Sequence, residues 1–93
     1  MIKSLTWNNF VRLALSYAIF SPNEDGSWTV EIPVLPGCVT WGETRAEAAS
    51  MAEDAVQGWL LTAVRFGDEI PLIDGYCLDY FAGNQLELEV AYA

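Results

Sequence analysis

The stretch 28–44 constrains the fold of this chain more than any other part of its sequence. Apolar residues alternate with other residues over 28–32, which predicts a strand with one apolar face. The Pro-Gly pair at 36–37 predicts a sharp turn, because proline lacks an N–H donor and glycine bends freely. A further short strand is predicted at 38–41. None of these residues forms a recognisable catalytic arrangement, so the stretch favours a binding protein over an enzyme.

The residues before this stretch predict a short helix and a first strand. We expect a helix that is capped by Thr6 or Asn8 and runs to about Leu13. Over 15–20 both faces of the alternating pattern are largely apolar, which is typical of a central strand. The polar cluster at 21–27 contains Asp-Gly and predicts a hairpin turn into the next strand. Together these segments predict a three-stranded antiparallel meander.

The residues after the meander predict the longest helix of the chain. Thr44 and Glu47 have the spacing of a capping box, in which the Thr44 hydroxyl accepts from the Glu47 N–H and the Glu47 carboxylate reaches back to the Thr44 N–H. Gly67 is the expected C-cap. Between them, apolar residues at spacings of three and four form one stripe, which we expect to face the sheet: Ala48, Ala52, Ala55, Val56, Trp59, Leu60 and Ala63.

These elements predict an α+β fold in which an antiparallel sheet carries the main helix on one face, in the order α-β-β-β-α-β. The last strand is expected at 86–90, where apolar residues alternate with glutamates, whereas 72–84 has no clear pattern. With 93 residues in total, the chain 1–93 is expected to form a single domain. Because 53% of the residues are hydrophobic, we also expect apolar surface outside the small core and association into a homodimer or higher homo-oligomer.

The charge of the chain is strongly acidic. Thirteen acidic residues against four basic ones give a formal net charge of −9. Such a surface repels phosphate backbones, which argues against direct nucleic-acid binding, and it attracts basic partners. The acidity could equally serve only to keep an apolar domain in solution. The chain shows neither a signal-peptide pattern nor an apolar run long enough to span a membrane, so a cytoplasmic location is expected.

The sequence offers little for catalysis or for metal and cofactor binding. It contains no histidine, which removes Ser-His and Cys-His dyads and leaves only unusual ligand sets for zinc. Cys38 and Cys77 are expected to be free thiols, although a disulfide between them stays open. There is no glycine-rich phosphate loop. We therefore expect no catalytic residue, no metal and no cofactor.

Short motifs spread over more than half of the chain match one family in order and spacing. They are Tyr17 in an aromatic strand, Gly26-Ser27-Trp28-Thr29-Val30, Ile32-Pro33-Val34-Leu35-Pro36-Gly37-Cys38, Gly42-Glu43-Thr44, Glu47-Ala48, Glu53-Asp54-Ala55, Trp59-Leu60 and Ile70-Pro71. With these motifs the sequence from about Leu15 to Pro71 resembles the HicB family. Members of that family are the antitoxin partners of HicA toxins in bacterial and archaeal toxin–antitoxin pairs.

The resemblance implies a fold like a partial, degenerate ribonuclease H and a role in masking a small, basic, RNA-cleaving HicA-type toxin. This sequence differs from the family pattern in one respect: family members usually carry a C-terminal DNA-binding unit, which this sequence does not match. The residues that we expect to bind the partner are Glu31, Trp41 and Glu43. For Trp41, two interpretations stay open: an exposed binding anchor or a cap on one end of the core.

Two other hypotheses about function remain. The first is that the chain is a stand-alone domain of the same family with an adaptor or assembly role. The second is that it is a divergent metal-dependent nuclease. Ribonuclease H chemistry requires several carboxylates around Mg²⁺, one of them from the first strand, and the strand predicted at 15–20 contains none.

Overall fold

A computed structural model describes residues 3–79 of the chain. Its elements, in chain order, are β1 (Lys3–Leu5), α1 (Trp7–Leu15), β2 (Ile19–Pro22), β3 (Trp28–Glu31), β4 (Val39–Gly42), α2 (Arg45–Phe66) and β5 (Tyr76–Leu78). The predicted α+β class, the meander and the main helix are confirmed. The strand predicted at 86–90 lies outside the described residues.

Within residues 3–79 the strands form two separate sheets. Strands β2, β3 and β4 are antiparallel neighbours in that order, which is the predicted meander. Strands β1 and β5 form a parallel pair in which Lys3 lies opposite Tyr76. The sequence analysis did not predict β1, because three residues are too few to show an alternating pattern. The Tyr17 hydroxyl donates a hydrogen bond to Asp74, which links the segment before β2 to the segment before β5.

The predicted bounds 15–20 of the first strand of the meander are wrong. Helix α1 continues to Leu15, and the chain then turns at Ser16, whose hydroxyl donates to the Leu13 carbonyl at 2.6 Å. The strand begins only at Ile19, and within residues 3–79 it lies at one end of the three-stranded sheet. A short run that is apolar on both faces fits a helix end as well as a strand, and here the helix prevails.

The core lies between the inner face of the sheet and the predicted stripe of α2. Five members of the stripe are buried, and Ala55 and Trp59 pack against the core while partly exposed. The buried members are Ala48, Ala52, Val56, Leu60 and Ala63. The small residues at the start of α2 let β4 come close: a Cβ on Gly42 would lie only 2.4 Å from the Ala48 nitrogen.

Both ends of α2 are capped by local hydrogen bonds. The Thr44 hydroxyl accepts from the Glu47 N–H at 3.0 Å, as predicted. The Glu47 carboxylate, however, accepts from the Glu43 N–H at 3.1 Å and not from the Thr44 N–H, which corrects the predicted partner by one residue. At the other end Gly67 has φ +69°, and the Asp68 N–H donates to the Ala63 carbonyl at 2.8 Å. This is a Schellman motif, so the predicted C-cap is confirmed.

The loop from β3 to β4 consists of two consecutive turns. The Leu35 N–H donates to the Ile32 carbonyl, and the Cys38 N–H donates to the Leu35 carbonyl, each at 3.0 Å. Leu35 is fully buried between the two turns. The Trp59 indole N–H donates to the Pro36 carbonyl at 2.9 Å, which ties the loop to α2. The loop therefore fixes where β4 begins.

Candidate protein-binding face

One face of the three-stranded sheet is turned away from α2. Side chains alternate between the two faces of a strand, and Val30 is buried beneath α2. Thr29 and Glu31 therefore lie on the opposite side of β3. The register places Trp41 opposite Thr29, and both Ile19 and Val39 opposite Glu31. We call the surface formed by Ile19, Thr29, Glu31, Val39 and Trp41 the open face.

The open face combines apolar side chains with one carboxylate. Ile19, Val39 and Trp41 are 51%, 55% and 57% exposed. The exposed Glu31 lies between Ile19 and Val39 in one row across the three strands. Single exposed apolar side chains are ordinary, but three on neighbouring positions of one face are characteristic of an interaction surface.

The charge near the open face has a single sign. The segment 16–44, which contains all three strands of the sheet, carries four acidic residues and neither lysine nor arginine. Arg45, the first basic residue after it, has its guanidinium 4.4 Å from the ring centre of Phe20, which is paired with the inward-facing Val30. That stacking interaction holds the cation on the side of the sheet that faces α2. The open face is thus suited to a partner with positive charge.

The turn between β2 and β3 is held rigidly at one end of this face. The Asn23 side-chain amide donates to the Thr29 hydroxyl at 3.0 Å. The Asp25 carboxylate accepts from the Ser27 hydroxyl at 2.6 Å and from the Ser27 N–H at 3.0 Å. These two hydrogen bonds lower the pKa of Asp25, because they stabilise its charged form. The turn therefore holds a negative charge at the end of the sheet where β2 leads into β3.

The structure brings two of the three predicted binding residues together. Glu31 and Trp41 lie on the open face, on neighbouring strands. Trp41 is 57% exposed, which does not fit a cap on the core, and the anchor interpretation stays a prediction. Glu43 is exposed just beyond β4, where its backbone N–H supports the start of α2. The binding role of all three residues stays a prediction.

Sequence reasoning missed Ile19 and Val39 as parts of this surface. Val39 could have been found, because it lies two residues before Trp41 in the same strand and so shares its face. Ile19 could not, since the strand containing it was predicted to be buried on both sides.

The described residues show no arrangement typical of a catalytic or metal centre. Within residues 3–79, no three acidic or cysteine side chains gather where they could hold a metal ion. Cys38 is a free thiol that is 4% exposed, and its burial raises the pKa of the thiol, which keeps it protonated. Cys77 is also free, so the expectation of two unpaired thiols is confirmed. In the same part of the chain, neither helix has both the length and the apolar character that crossing a bilayer requires.

Comparison with known proteins gives three consistent matches. The model of the HicB-like antitoxins of bacterial toxin–antitoxin systems matches residues 17–85. A curated relative, UPF0150 protein Ta0767 of Thermoplasma acidophilum, is 34% identical over 53 residues, which cover 57% of this chain and 77% of the relative. The crystal structure of TTHA0281 from Thermus thermophilus superposes with a TM-score of 0.66 at 25% identity, covering 71% of this chain and 83% of that one.

Proposed function

The chain belongs to the HicB-like antitoxin family, and from this premise we propose that it binds and neutralises a small, basic, RNA-cleaving toxin of the HicA type. The observation that supports this most directly is the open face, where Glu31 lies between exposed apolar side chains. The proposed role is non-enzymatic: the chain acts by covering the toxin, in the cytoplasm where the RNA is.

The open face contains one side chain that is typical of a binding hot spot. Tryptophan and arginine dominate such hot spots, where a few residues at the centre of an interface carry most of the binding energy. Trp41 supplies a large apolar anchor, and Glu31 supplies a carboxylate at the centre of an apolar row. An arginine or lysine of the toxin that meets Glu31 would form a charge-assisted hydrogen bond shielded from water by Ile19 and Val39.

In the proposed complex, the chain inhibits the toxin by competing with RNA for the basic side chains of the toxin. A protein that cleaves RNA must attract phosphate groups with basic side chains. The acidic segment 16–44 offers carboxylates to those same side chains and contains no base of its own to oppose them. Occupation of the RNA-binding surface of the toxin by Glu31 and its neighbours would therefore exclude the substrate. The chain is also proposed to self-associate, which would present more than one open face.

Charge reversal on the open face tests this proposal. Glu31→Lys should weaken toxin binding, measured by titration calorimetry, at least about 30-fold, the effect of losing a hot-spot residue of about 2 kcal/mol. Trp41→Ala should weaken it comparably, because the anchor is removed. Glu53→Lys is the matched control, since it makes the same charge change on an exposed position of α2. The proposal fails if Glu31→Lys binds like the wild type, or if the control loses as much affinity.

A further inference from the structure

The outer edge of β4 presents backbone groups that no strand within residues 3–79 pairs with. The Ile32 N–H donates to the Cys38 carbonyl at 2.9 Å, so these two residues form a hydrogen-bonded pair. Such pairs alternate along antiparallel strands, and Thr40 and Gly42 therefore direct their N–H and C=O groups towards β3. Those of Val39 and Trp41 point the other way. Within residues 3–79 no strand pairs with that side of β4.

A groove runs beside this edge, between β4 and α2. It encloses about 390 Å³ and is lined by Val39 on the strand side, by Ala55, Gly58 and Thr62 on the helix side, and by Asp68 and Glu69 just after the helix. Gly58 is exposed, and a Cβ built on it would meet no atom within 4 Å. The edge of the sheet and this small-residue side of α2 thus open in the same direction.

From these two features we infer that β4 pairs antiparallel with β4 of a second copy of this chain, so that the two sheets become continuous and the two α2 helices pack side by side. This inference rests on the self-association included in the proposed function and names its interface. The edge of β4 and the groove both contribute to this interface, because a second copy that pairs with β4 also covers the groove.

The edge of β4 is complementary to itself. A two-fold axis at Thr40 places Val39 opposite the partner's Trp41, and Trp41 opposite the partner's Val39. These are the residues whose N–H and C=O groups point outward, so each pair can exchange both of its backbone hydrogen bonds. Pairs of an aromatic and a β-branched residue are also favourable across antiparallel strands. Within β4, any other register that directs outward groups to the partner pairs only one of these two residues with an outward residue of the partner strand.

The distribution of charge favours a second copy as the occupant. Two chains of net charge −9 repel each other except where their surfaces lack like charges. Strand β4 has no ionisable side chain. The acidic residues of α2 lie in its first half, and its basic residue near the C-terminal end is Arg65. In antiparallel helices the Arg65 end of each α2 lies towards the acidic first half of the other, whereas Asp68 and Glu69 of the groove repel their counterparts, so the uncharged strand β4 is the part of the interface that the charges favour.

Removal of one outward N–H tests the strand contact. The wild-type chain should have twice its 10.3 kDa mass in sedimentation equilibrium. Val39→Pro lacks the outward donor but leaves the pairing with β3 intact, so it should shift to the monomer mass. Val39→Thr keeps the N–H and the branched side chain and should remain a dimer. A wild-type monomer, or a Val39→Pro dimer, would overturn the inference.

Gly58→Lys tests the helix contact without a risk to folding. Lysine is a better helix former than glycine, so the variant should fold at least as well as the wild type. Its side chain would fill the groove, and we expect a monomer. Ser50→Lys is the control, because it makes the same charge change at an exposed position of α2 that does not line the groove. A Gly58→Lys dimer would contradict the inferred interface.

Toxin binding separates this inference from the proposed function. Gly58→Lys leaves the open face unchanged, so a monomeric Gly58→Lys that still binds toxin supports both proposals. A wild-type monomer that binds toxin overturns the interface alone, and a dimer that binds no toxin overturns only the proposed function. Hydrogen exchange covers the remaining case: a wild-type monomer with protected Val39 and Trp41 amides would show that another segment of the same chain occupies the edge.

Discussion

Gly42 lies where the backbones of β4 and α2 meet. A methyl group at this position would come within 2.4 Å of the Ala48 nitrogen and 2.7 Å of its Cα, and neither is a side chain that could move away. Gly42→Ala should therefore lower the free energy of unfolding by about 1–3 kcal/mol, as overpacking does elsewhere. Urea denaturation measures this change. Ser50→Ala on the exposed side of α2 should stay within about 0.5 kcal/mol of the wild type, and a Gly42→Ala variant equally unaffected would refute the close approach.

For single residues, the sequence predicted which side chains share a face of the sheet better than it predicted which face α2 covers. Alternation along β3 and β4 indicates that Glu31 and Trp41 each share a face with the residues two places away. It does not indicate which face α2 covers, because that depends on contacts far apart in the chain. The close approach at Gly42 is a consequence of that packing, so Gly42 appeared in the sequence only as part of a turn. The open face therefore became visible only with the fold.

Among the elements, α2 depends on its N-terminal cap. The Thr44 hydroxyl accepts the Glu47 N–H, while the Glu47 carboxylate accepts the Glu43 N–H. Thr44→Ala removes the first of these bonds and should cost about 1 kcal/mol of stability in thermal or urea unfolding. Ser50→Ala is again the control, because this exposed serine of α2 makes no capping bond and does not line the groove. Equal losses for the two variants would rule out a specific contribution of the cap.

The elements that sequence reasoning predicted well are those specified by local chemistry. Helix α2 has a capping pair, a stripe of apolar residues and a terminal glycine, and each of these acts within a few residues. Strand β1 has no such signal, because it is a strand only through its pairing with β5 at the other end of the described chain. The boundary between α1 and β2 was misplaced for a related reason: the turn at Ser16 depends on hydrogen bonds to the helix that the apolar pattern does not reveal.

On the scale of the whole molecule, the net charge of −9 should control how fast a basic toxin is found. Complementary charges steer the encounter, and salt screens them. We expect the association rate constant to fall by about an order of magnitude or more between low salt and ~0.5 M salt, whereas the dissociation rate changes little. Stopped-flow tryptophan fluorescence can follow both rates. An association rate independent of salt would show that the acidity serves another purpose.

The inhibition of RNA cleavage by the purified toxin tests the central claim most directly. The chain should reduce cleavage to background when it is titrated to about one equivalent of toxin, and Glu31→Lys should require a large excess. Glu53→Lys should behave like the wild type. Cleavage that continues at the full rate in excess of the wild-type chain would contradict the account.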